Sequence, residues 1–174
     1  MNRVFVLLSS NHEPEKNLPA GLALLQEKSR VEAISSVYES APVGEIYQAN
    51  FLDAVAELRT NLCPSEFRSD ILGQIEQRLG RERPGMQAGF HVITIDLDIL
   101  LWNQESFDFG PKPWHVPDRK IVHEAHLAVP LAELAPDYVH PEDGRTLLKI
   151  AKSLPHEELT LRQDIRLDLS RPLA

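Results

Sequence analysis

Cysteine and long hydrophobic runs are the two features that this chain of 174 residues most clearly lacks. Cys63 is its single cysteine, which excludes an intramolecular disulfide and suits a reducing compartment. The opening stretch MNRVFVLLSSNHEPEKN contains an apolar run of only five residues before it becomes polar. Such a run is too short for a signal peptide or a membrane span. We therefore expect a soluble, cytoplasmic protein.

Basic residues are also scarce relative to acidic ones. Lys and Arg number 18 against 26 Asp and Glu, which gives a net charge of −8 and a pI near 5.3. Phosphate backbones and anionic membranes repel such a surface, which argues against a general nucleic-acid or membrane binder. A phosphate-bearing ligand would have to be held locally, by arginine residues or by a metal ion. We expect small-molecule partners, with no nucleic acid and no membrane.

The pattern of apolar residues predicts the fold class. Strand-like segments occur at 3–9, 31–38, 51–60 and 93–102, and helical spacing occurs at 17–28 and 64–79. The order β-α-β-β-α-β predicts an α+β protein with a ferredoxin-like antiparallel sheet and helices packed on it. The length suits one domain with its own core, so we predict a single domain over 1–174, and a monomer.

The remainder of the chain is less regular. A loop containing Pro and Gly covers 103–120, and helical stretches follow near 123–134 and at 145–153. We interpret these as a C-terminal helical extension of the sheet domain. The tail at 155–174 is charged and weakly periodic, and its pattern predicts no position for it.

Two aspartates interrupt the apolar segment ITIDLDILLW at 93–102. Residues two apart on a strand share a face, so Asp96 and Asp98 point away from Leu97 and Ile99, with their carboxylates roughly 7 Å apart. Such a pair of hard oxygen ligands favours Mg²⁺, and its spacing can flank two ions that carry nucleotide phosphates. The alternative is a solvated strand face on which acids happen to alternate.

A second polar motif, Gly80-Arg81-Glu82-Arg83, follows the predicted helix at 64–79. Arginines at a helix end, on a loop able to close, can clamp phosphate oxygens through two hydrogen bonds each. The alternative is a solvated surface pair.

Five motifs in one order carry a resemblance to a known family: YESAPVG at 38–44, FLDAV at 51–55, IEQRLGRER at 75–83, IDLDILLW at 95–102 and VPLAELAP at 129–136. Together they resemble 6-hydroxymethyl-7,8-dihydropterin pyrophosphokinase, a folate-pathway enzyme that moves the β,γ-pyrophosphoryl group of ATP to a pterin hydroxymethyl group. The resemblance covers about residues 3–137, and the pairing of GRER with IDLDIL is its most specific part. It also implies the ferredoxin-like sheet.

The resemblance implies roles for particular residues. Asp96 and Asp98 would bind two Mg²⁺ ions and, with Arg81 and Arg83 of a closing loop, form the catalytic set. The nucleotide contacts implied are Glu76, Arg81, Arg83 and Ile99, with Arg119 and Lys120 as further candidates. The pterin contacts implied are Ser40, Ala41, Val43, Phe51, Asp53, Phe90 and His126.

The strand at 51–60 supports the pterin assignment independently. Phe51 and Asp53 share a face opposite Leu52 and Ala54, which we expect to be a non-core face. An aromatic beside a carboxylate suits a flat heterocycle with amino groups, because the ring can stack and the carboxylate can accept its N–H donors. The alternative is that Phe51 packs half-covered beneath a loop.

Several positions depart from the family pattern, which usually has Asn at Asp53 and often Tyr at Phe51. Trp-Gly-Pro-Arg usually precedes the DLD strand, where this chain has Phe90-His91-Val92-Ile93. Acidic residues, Asp118 and Glu124, stand at two later polar or cationic positions, and His126 stands where a stacking Phe is expected. These departures leave two alternatives to the pyrophosphokinase: an enzyme for a different pterin, or a non-catalytic protein that binds pterin or nucleotide.

Overall fold

The computed structural model describes residues 1–42, 49–81 and 92–169. The first half contains β1 (Asn2–Ser10), α1 (Pro14–Lys28), β2 (Arg30–Ile34), β3 (Tyr38–Ser40), β4 (Phe51–Thr60), α2 (Pro64–Glu66), a π-helical segment (Phe67–Leu72) and α3 (Gly73–Arg78). The second half contains β5 (Asp96–Trp102), β6 (Phe107–Phe109), β7 (Trp114–Val116), a 3₁₀ helix (Arg119–Val122), α4 (Ala125–Leu134), α5 (Leu147–Ser153) and β8 (Thr160–Leu161).

The main sheet is antiparallel and follows the order β5-β1-β4-β3-β8. β1 pairs with β4 on one side and with β5 on the other, and β4 pairs in turn with β2 and β3. This order, with the last long strand beside the first, is that of the predicted ferredoxin-like sheet. The short strand β8 extends it by pairing with β3.

Apolar residues are buried on both faces of the sheet. On the face under α1 and the helical segments at 64–78, the core includes Val4, Leu8, Leu18, Phe67 and Ile95. On the other face, under α4 and α5, the core includes Phe5, Val55, Leu101, Leu131 and Ile150. The expectation that the second face of β4 lies outside the core is therefore wrong, since the C-terminal helices cover it and leave Asp53 only 1% exposed.

The predicted helix at 64–79 forms, but with an irregular centre. Pro64 occupies its first turn, and Glu66 accepts a hydrogen bond from the backbone N–H of Cys63 at 3.1 Å. Phe67 and Leu72, five residues apart, are both fully buried, a spacing that the wider π-helical turn accommodates. Gly80 ends the helix with a φ of 77°, a backbone conformation that glycine adopts without steric cost.

Two segments differ from the sequence-based expectation. The strand predicted at 31–38 is divided into β2 and β3, with an irregularity between Val31 and Ala33 in the pairing to β4. The region predicted as a loop at 103–120 contains the hairpin β6–β7. Three-residue strands are too short to show an alternating pattern, which is why the hairpin gave no signal.

The described part of the tail packs against the domain. Besides the pairing of β8 with β3, the backbone N–H of Arg162 donates to the carbonyl of Val37 at 2.8 Å, and Leu167 is buried in the core. Among the described residues, no helix has the length and apolar character needed to cross a bilayer.

Candidate active site

The register of the central strands places polar residues in one row across the sheet. Ser9 of β1 is the direct partner of Asp53 in β4 and of Asp96 in β5. Two residues earlier in β1, Leu7 is the partner of Val55 and of Asp98. Since neighbouring strands lie about 4.8 Å apart, the backbones at Asp53 and Asp96 are about 10 Å apart. The predicted pterin and metal residues therefore share one surface.

Asp96 and Asp98 lie on the same face of β5, as predicted, because Leu97 and Ile99 are buried in the opposite core. Burial raises the pKa of Asp98 to about 8, and the nearby carboxylates of Asp96, Asp118 and Glu76 add to the increase. Excess negative charge at a buried carboxylate disfavours ionisation. A cation bound here would therefore stabilise the ionised form of Asp98.

Glu76 of α3 faces the same strand. Its Oε1 accepts a hydrogen bond from the backbone N–H of Leu97 at 2.9 Å, and burial raises the pKa of Glu76 above its usual value. Arg81 follows that helix, and its Nη1 lies 3.2 Å from Asp96 Oδ1 and donates to the carbonyl of Ile95 at 3.0 Å. The predicted GRER motif thus begins in direct contact with the DLD motif.

A cavity of about 480 Å³ opens beside this acidic cluster. Its polar walls come from Arg68, Glu76 and Arg81, and Trp114 of the β6–β7 hairpin forms an aromatic wall. Gly110 allows that position of the indole: a Cβ added there would lie 2.5 Å from the ring of Trp114. The cavity combines cationic side chains with an aromatic surface, which suits a nucleotide.

The other end of the polar row forms a second environment. Asp53 accepts hydrogen bonds from the hydroxyls of Ser9 at 2.6 Å and Ser40 at 2.7 Å. Burial raises the pKa of Asp53, and the charge of His126 opposes this increase. His126 Nε2 lies 3.1 Å from Glu124 Oε2, and both residues line a cavity of about 420 Å³ with Ser40 and Ala41.

Comparison with known proteins identifies the family. The model of the family described as 7,8-dihydro-6-hydroxymethylpterin-pyrophosphokinase matches residues 5–136. This chain belongs to that family. The family members are ATP-dependent pyrophosphokinases of folate biosynthesis, which typically use Mg²⁺. The predicted family and enzyme class are confirmed, and the comparisons give no support to the alternative of a non-catalytic protein.

Two bacterial relatives carry the name 2-amino-4-hydroxy-6-hydroxymethyldihydropteridine pyrophosphokinase. The protein of Pseudomonas aeruginosa is 37% identical over 160 residues, covering 90% of this chain and 94% of its own. That of Bacillus subtilis is 35% identical over 136 residues, covering 76% of this chain and 78% of its own.

A solved structure supports the fold assignment. A triple mutant of Plasmodium falciparum HPPK-DHPS matches 87% of this chain with a TM-score of 0.71 and 13% sequence identity. This chain covers 44% of that longer protein. The ferredoxin-like fold predicted from the sequence is therefore confirmed.

The remaining residues predicted for the pyrophosphokinase site lie in different settings. Ile99 is buried in the core under α1, and Arg119 and Lys120 are exposed on the 3₁₀ helix. Phe51 is half-buried at the start of β4. Three predicted residues, Val43, Arg83 and Phe90, lie outside the described residues.

Sequence reasoning missed three residues that the structure brings to this candidate site: Ser9, Arg68 and Trp114. Arg68 did leave a signal, because it precedes Leu72 by four positions and Ile75 by seven, and so falls on the apolar face of the predicted helix. Ser9 becomes significant only through its pairing with Asp53 and Asp96. Such long-range register is not visible in one segment of sequence.

The donor set fits the magnesium that this family typically uses. The described residues contain no group of three or more His, Cys, Asp or Glu side chains arranged to hold a metal ion. Mg²⁺ is commonly bound through one or two carboxylates, with water and substrate phosphates as its other ligands. Asp96 and Asp98 supply two such carboxylates in a cluster that lacks sufficient positive charge.

Proposed function

We propose that this chain transfers the β,γ-pyrophosphoryl group of ATP to 6-hydroxymethyl-7,8-dihydropterin on the surface between Asp53 and Asp98. The observation that carries this proposal is the strand register, which places Asp53, Ser9 and Asp96 in one row. The row joins a cavity with cationic and aromatic walls at one end to a buried hydrogen-bonding carboxylate at the other. A nucleotide and a pterin bound there would meet over the central strand.

The transfer exchanges one phosphorus–oxygen bond for another. The hydroxymethyl oxygen of the pterin attacks the β-phosphorus of ATP and forms the new bond. The bond between the β-phosphorus and the oxygen that bridges it to the α-phosphorus breaks, so AMP leaves with that oxygen. The hydroxyl proton passes to solvent. Such a reaction depends mainly on positioning the reactants and compensating the phosphate charge.

The nucleotide end of the row would supply charge compensation. Asp96 and Asp98 would hold Mg²⁺, for which we propose two ions, and the metal would neutralise phosphate charge and align the oxygens. Arg81 contacts Asp96 through Nη1, and its Nε is buried without a hydrogen-bond partner among the described residues, so the guanidinium would have a donor left for a phosphate oxygen. Glu76 holds the start of β5 in place through the N–H of Leu97.

The pterin end would supply recognition. Each carboxylate oxygen of Asp53 accepts a hydrogen bond from one serine hydroxyl, and each can accept one more hydrogen bond. The N–H and amino groups of a pterin are such donors. His126 and Ser40 line the adjoining cavity, so they would contact the edges of a pterin ring bound there. We also propose that the chain acts in the cytoplasm and is a monomer. Sedimentation of the purified protein would test its oligomeric state.

Formation of AMP tests the transfer. Purified protein incubated with ATP, Mg²⁺ and 6-hydroxymethyl-7,8-dihydropterin should form AMP and the pterin diphosphate in equal amounts. Asp98→Asn should remove this activity, whereas Asp137→Asn, at an exposed position after α4, should retain it. Folded wild-type protein that forms no AMP above background would contradict the proposed function.

A further inference from the structure

Arg68 of the π-helical segment is a buried cation with unused hydrogen-bonding capacity. Its side chain is 14% exposed, and its Nη1 is buried without a hydrogen-bond partner among the described residues. A buried N–H group left without an acceptor costs about 1–3 kcal/mol. An unpaired group of this kind in a native protein calls for an explanation, and a ligand bound in the cavity would supply one.

The other contacts of Arg68 fix the direction of its guanidinium. Nη2 lies 3.3 Å from Glu76 Oε2, and the guanidinium carbon lies 5.6 Å from the centre of the Trp114 ring. Both partners line the cavity of about 480 Å³, as does Arg68 itself. Glu76 and Trp114 therefore hold the guanidinium at the cavity wall, while Nη1 remains unoccupied by the described residues.

Arg68 also has room on one side because Gly73 has no side chain. A Cβ added at Gly73 would lie 3.9 Å from Arg68 Nη1 and 3.3 Å from the carbonyl oxygen of Arg68. Gly73 itself lines the cavity. The side of Nη1 that faces Gly73 therefore carries no side chain, and a small movement of the guanidinium there would bring Nη1 to the cavity.

The charges around Arg68 indicate which kind of ligand atom it suits. Its positive charge faces Asp98 as well as Glu76, and it lowers the pKa of both carboxyl groups against the larger effect of burial. Arg81 lies in the same cavity wall and also has a buried N–H, at Nε, without a partner among the described residues. Both guanidinium groups have unpaired N–H donors, which suit an anion with several oxygens. They are placed together although the protein as a whole has a net charge of −8.

We propose that Arg68 is a nucleotide-binding residue whose Nη1 donates a hydrogen bond to a phosphate oxygen of ATP while Nη2 stays paired with Glu76. This assignment rests on the proposed function, because it takes ATP as the occupant of the cavity. It adds a second cation, from the helix, to the loop cation Arg81. Since the π-helical turn determines where residue 68 points, that turn becomes a binding feature of this chain.

The test compares nucleotides that differ in phosphate number. Calorimetric titrations with Mg²⁺ would use α,β-methylene-ATP, whose α–β bridge cannot be cleaved, and AMP. Loss of one charge-assisted contact should weaken binding of the triphosphate by about 10- to 100-fold in Arg68→Met. AMP affinity should change much less, and Arg68→Lys should recover part of the loss.

Arg78→Met is the matched control, since Arg78 lies on α3 with a 65% exposed side chain and pairs with Glu27 at 3.9 Å. It should bind both nucleotides as the wild type does. Thermal unfolding of each variant would show whether the fold is retained, and Arg68→Lys keeps the test valid if Arg68→Met does not fold.

The possible outcomes separate this assignment from the proposed function. Equal affinity of wild type and Arg68→Met for the triphosphate would overturn it, as would an equal loss for AMP and the triphosphate. A wild-type protein that binds neither nucleotide would overturn the proposed function and this assignment together. A wild-type protein that binds the triphosphate but forms no AMP would overturn the transfer reaction alone.

Discussion

The two ends of the polar row differ in how their hydrogen bonds are used. At the nucleotide end, Arg68 and Arg81 each retain a buried N–H without a partner among the described residues. At the pterin end, both oxygens of Asp53 already accept serine hydroxyls, and His126 is paired with Glu124. The proposed nucleotide end therefore has unpaired N–H donors that suit an anion. The proposed pterin end has its hydrogen bonds satisfied internally, so a pterin would bind through the acceptor capacity that remains on Asp53.

The metal site should give the largest effect. Asp98→Ala removes a carboxylate that the proposed Mg²⁺ requires, so we expect kcat/KM to fall by about 10³-fold or more. Burial and neighbouring acids raise the pKa of Asp98 to about 8, so removing the group also relieves repulsion. Thermal unfolding without Mg²⁺ should therefore show an unchanged or raised stability.

Nucleotide titrations would complete this experiment. Mg²⁺-dependent affinity for α,β-methylene-ATP should be lost in Asp98→Ala and kept in Asp137→Ala, whose parent residue is exposed. Unchanged affinity in Asp98→Ala would contradict the metal assignment.

Asp53 should give the next largest effect, and it should act on the other substrate. Asp53→Ala removes the acceptor for the pterin and leaves the hydroxyls of Ser9 and Ser40 without their partner. A lost buried hydrogen bond of this kind costs about 1–3 kcal/mol, so KM for the pterin should rise about 10- to 100-fold. Steady-state kinetics should show the KM for ATP unchanged, and an equal rise for both substrates would contradict the separation of the two ends.

Gly110→Ala tests the aromatic wall at the nucleotide end. The backbone of Gly110 has a φ of 82°, and a Cβ there would meet the ring of Trp114 at 2.5 Å. The left-handed conformation alone should cost about 1–2 kcal/mol of stability, and displacement of the indole should weaken nucleotide binding.

Gly144→Ala supplies the matched control for this substitution. Gly144 has a φ of 83°, with no described atom within 4 Å of an added Cβ. Its alanine variant should lose a similar amount of stability in denaturant titrations but keep full nucleotide affinity. If the two variants bound the nucleotide equally well, Trp114 would have no role in the cavity.

The smallest effect concerns the hairpin that carries Trp114. His115 lies between Asp108 Oδ1 at 2.7 Å and Glu142 Oε1 at 2.5 Å, and these carboxylates, Asp108 first, raise the pKa of His115. A raised pKa means that the paired imidazolium stabilises the fold below the unfolded value of about 6.5. That contribution is lost as the pH rises through the folded pKa.

Chemical unfolding at two pH values would measure this contribution. The stability difference between wild type and His115→Gln should be larger at pH 6 than at pH 9. The effect should be small, because the side chains of Asp108 and Glu142 are 60% and 41% exposed and solvent screens the ion pairs. His156→Gln, at an exposed histidine, is the matched control. If the stability difference were equal at both pH values, the ion pairs of His115 with Asp108 and Glu142 would not stabilise the fold.

The parts of the molecule that sequence could predict are those with a local signal. β4 forms over Phe51–Thr60 with its predicted bounds, and the alternation in IDLDILLW correctly separates Asp96 and Asp98 from the buried Leu97. A period of two residues is sufficient to assign both faces of such a strand. The GRER motif likewise lies beside the DLD strand, through Arg81 and Asp96.

What could not be predicted depends on contacts between distant segments or on an irregular turn. The cover over the second face of β4 comes from α4 and α5, which follow it by more than 60 residues. The helical period places Arg68 on the apolar face of the predicted helix, but its contacts with Glu76 and Trp114 depend on the π-helical turn and on a distant hairpin. The strand β8 has two residues and exists only because β3 offers an unpaired edge.

The pairing of β8 with β3 has a practical consequence. The family match ends at residue 136, yet Pro155 to Leu159, just before β8, line the cavity that also contains Ser40 and His126. A shortened protein trimmed to the matched region would keep both aspartates of the DLD motif but lose one wall of this cavity, where we propose that the pterin binds. Expression variants made to study this cavity should therefore retain residues 155–161.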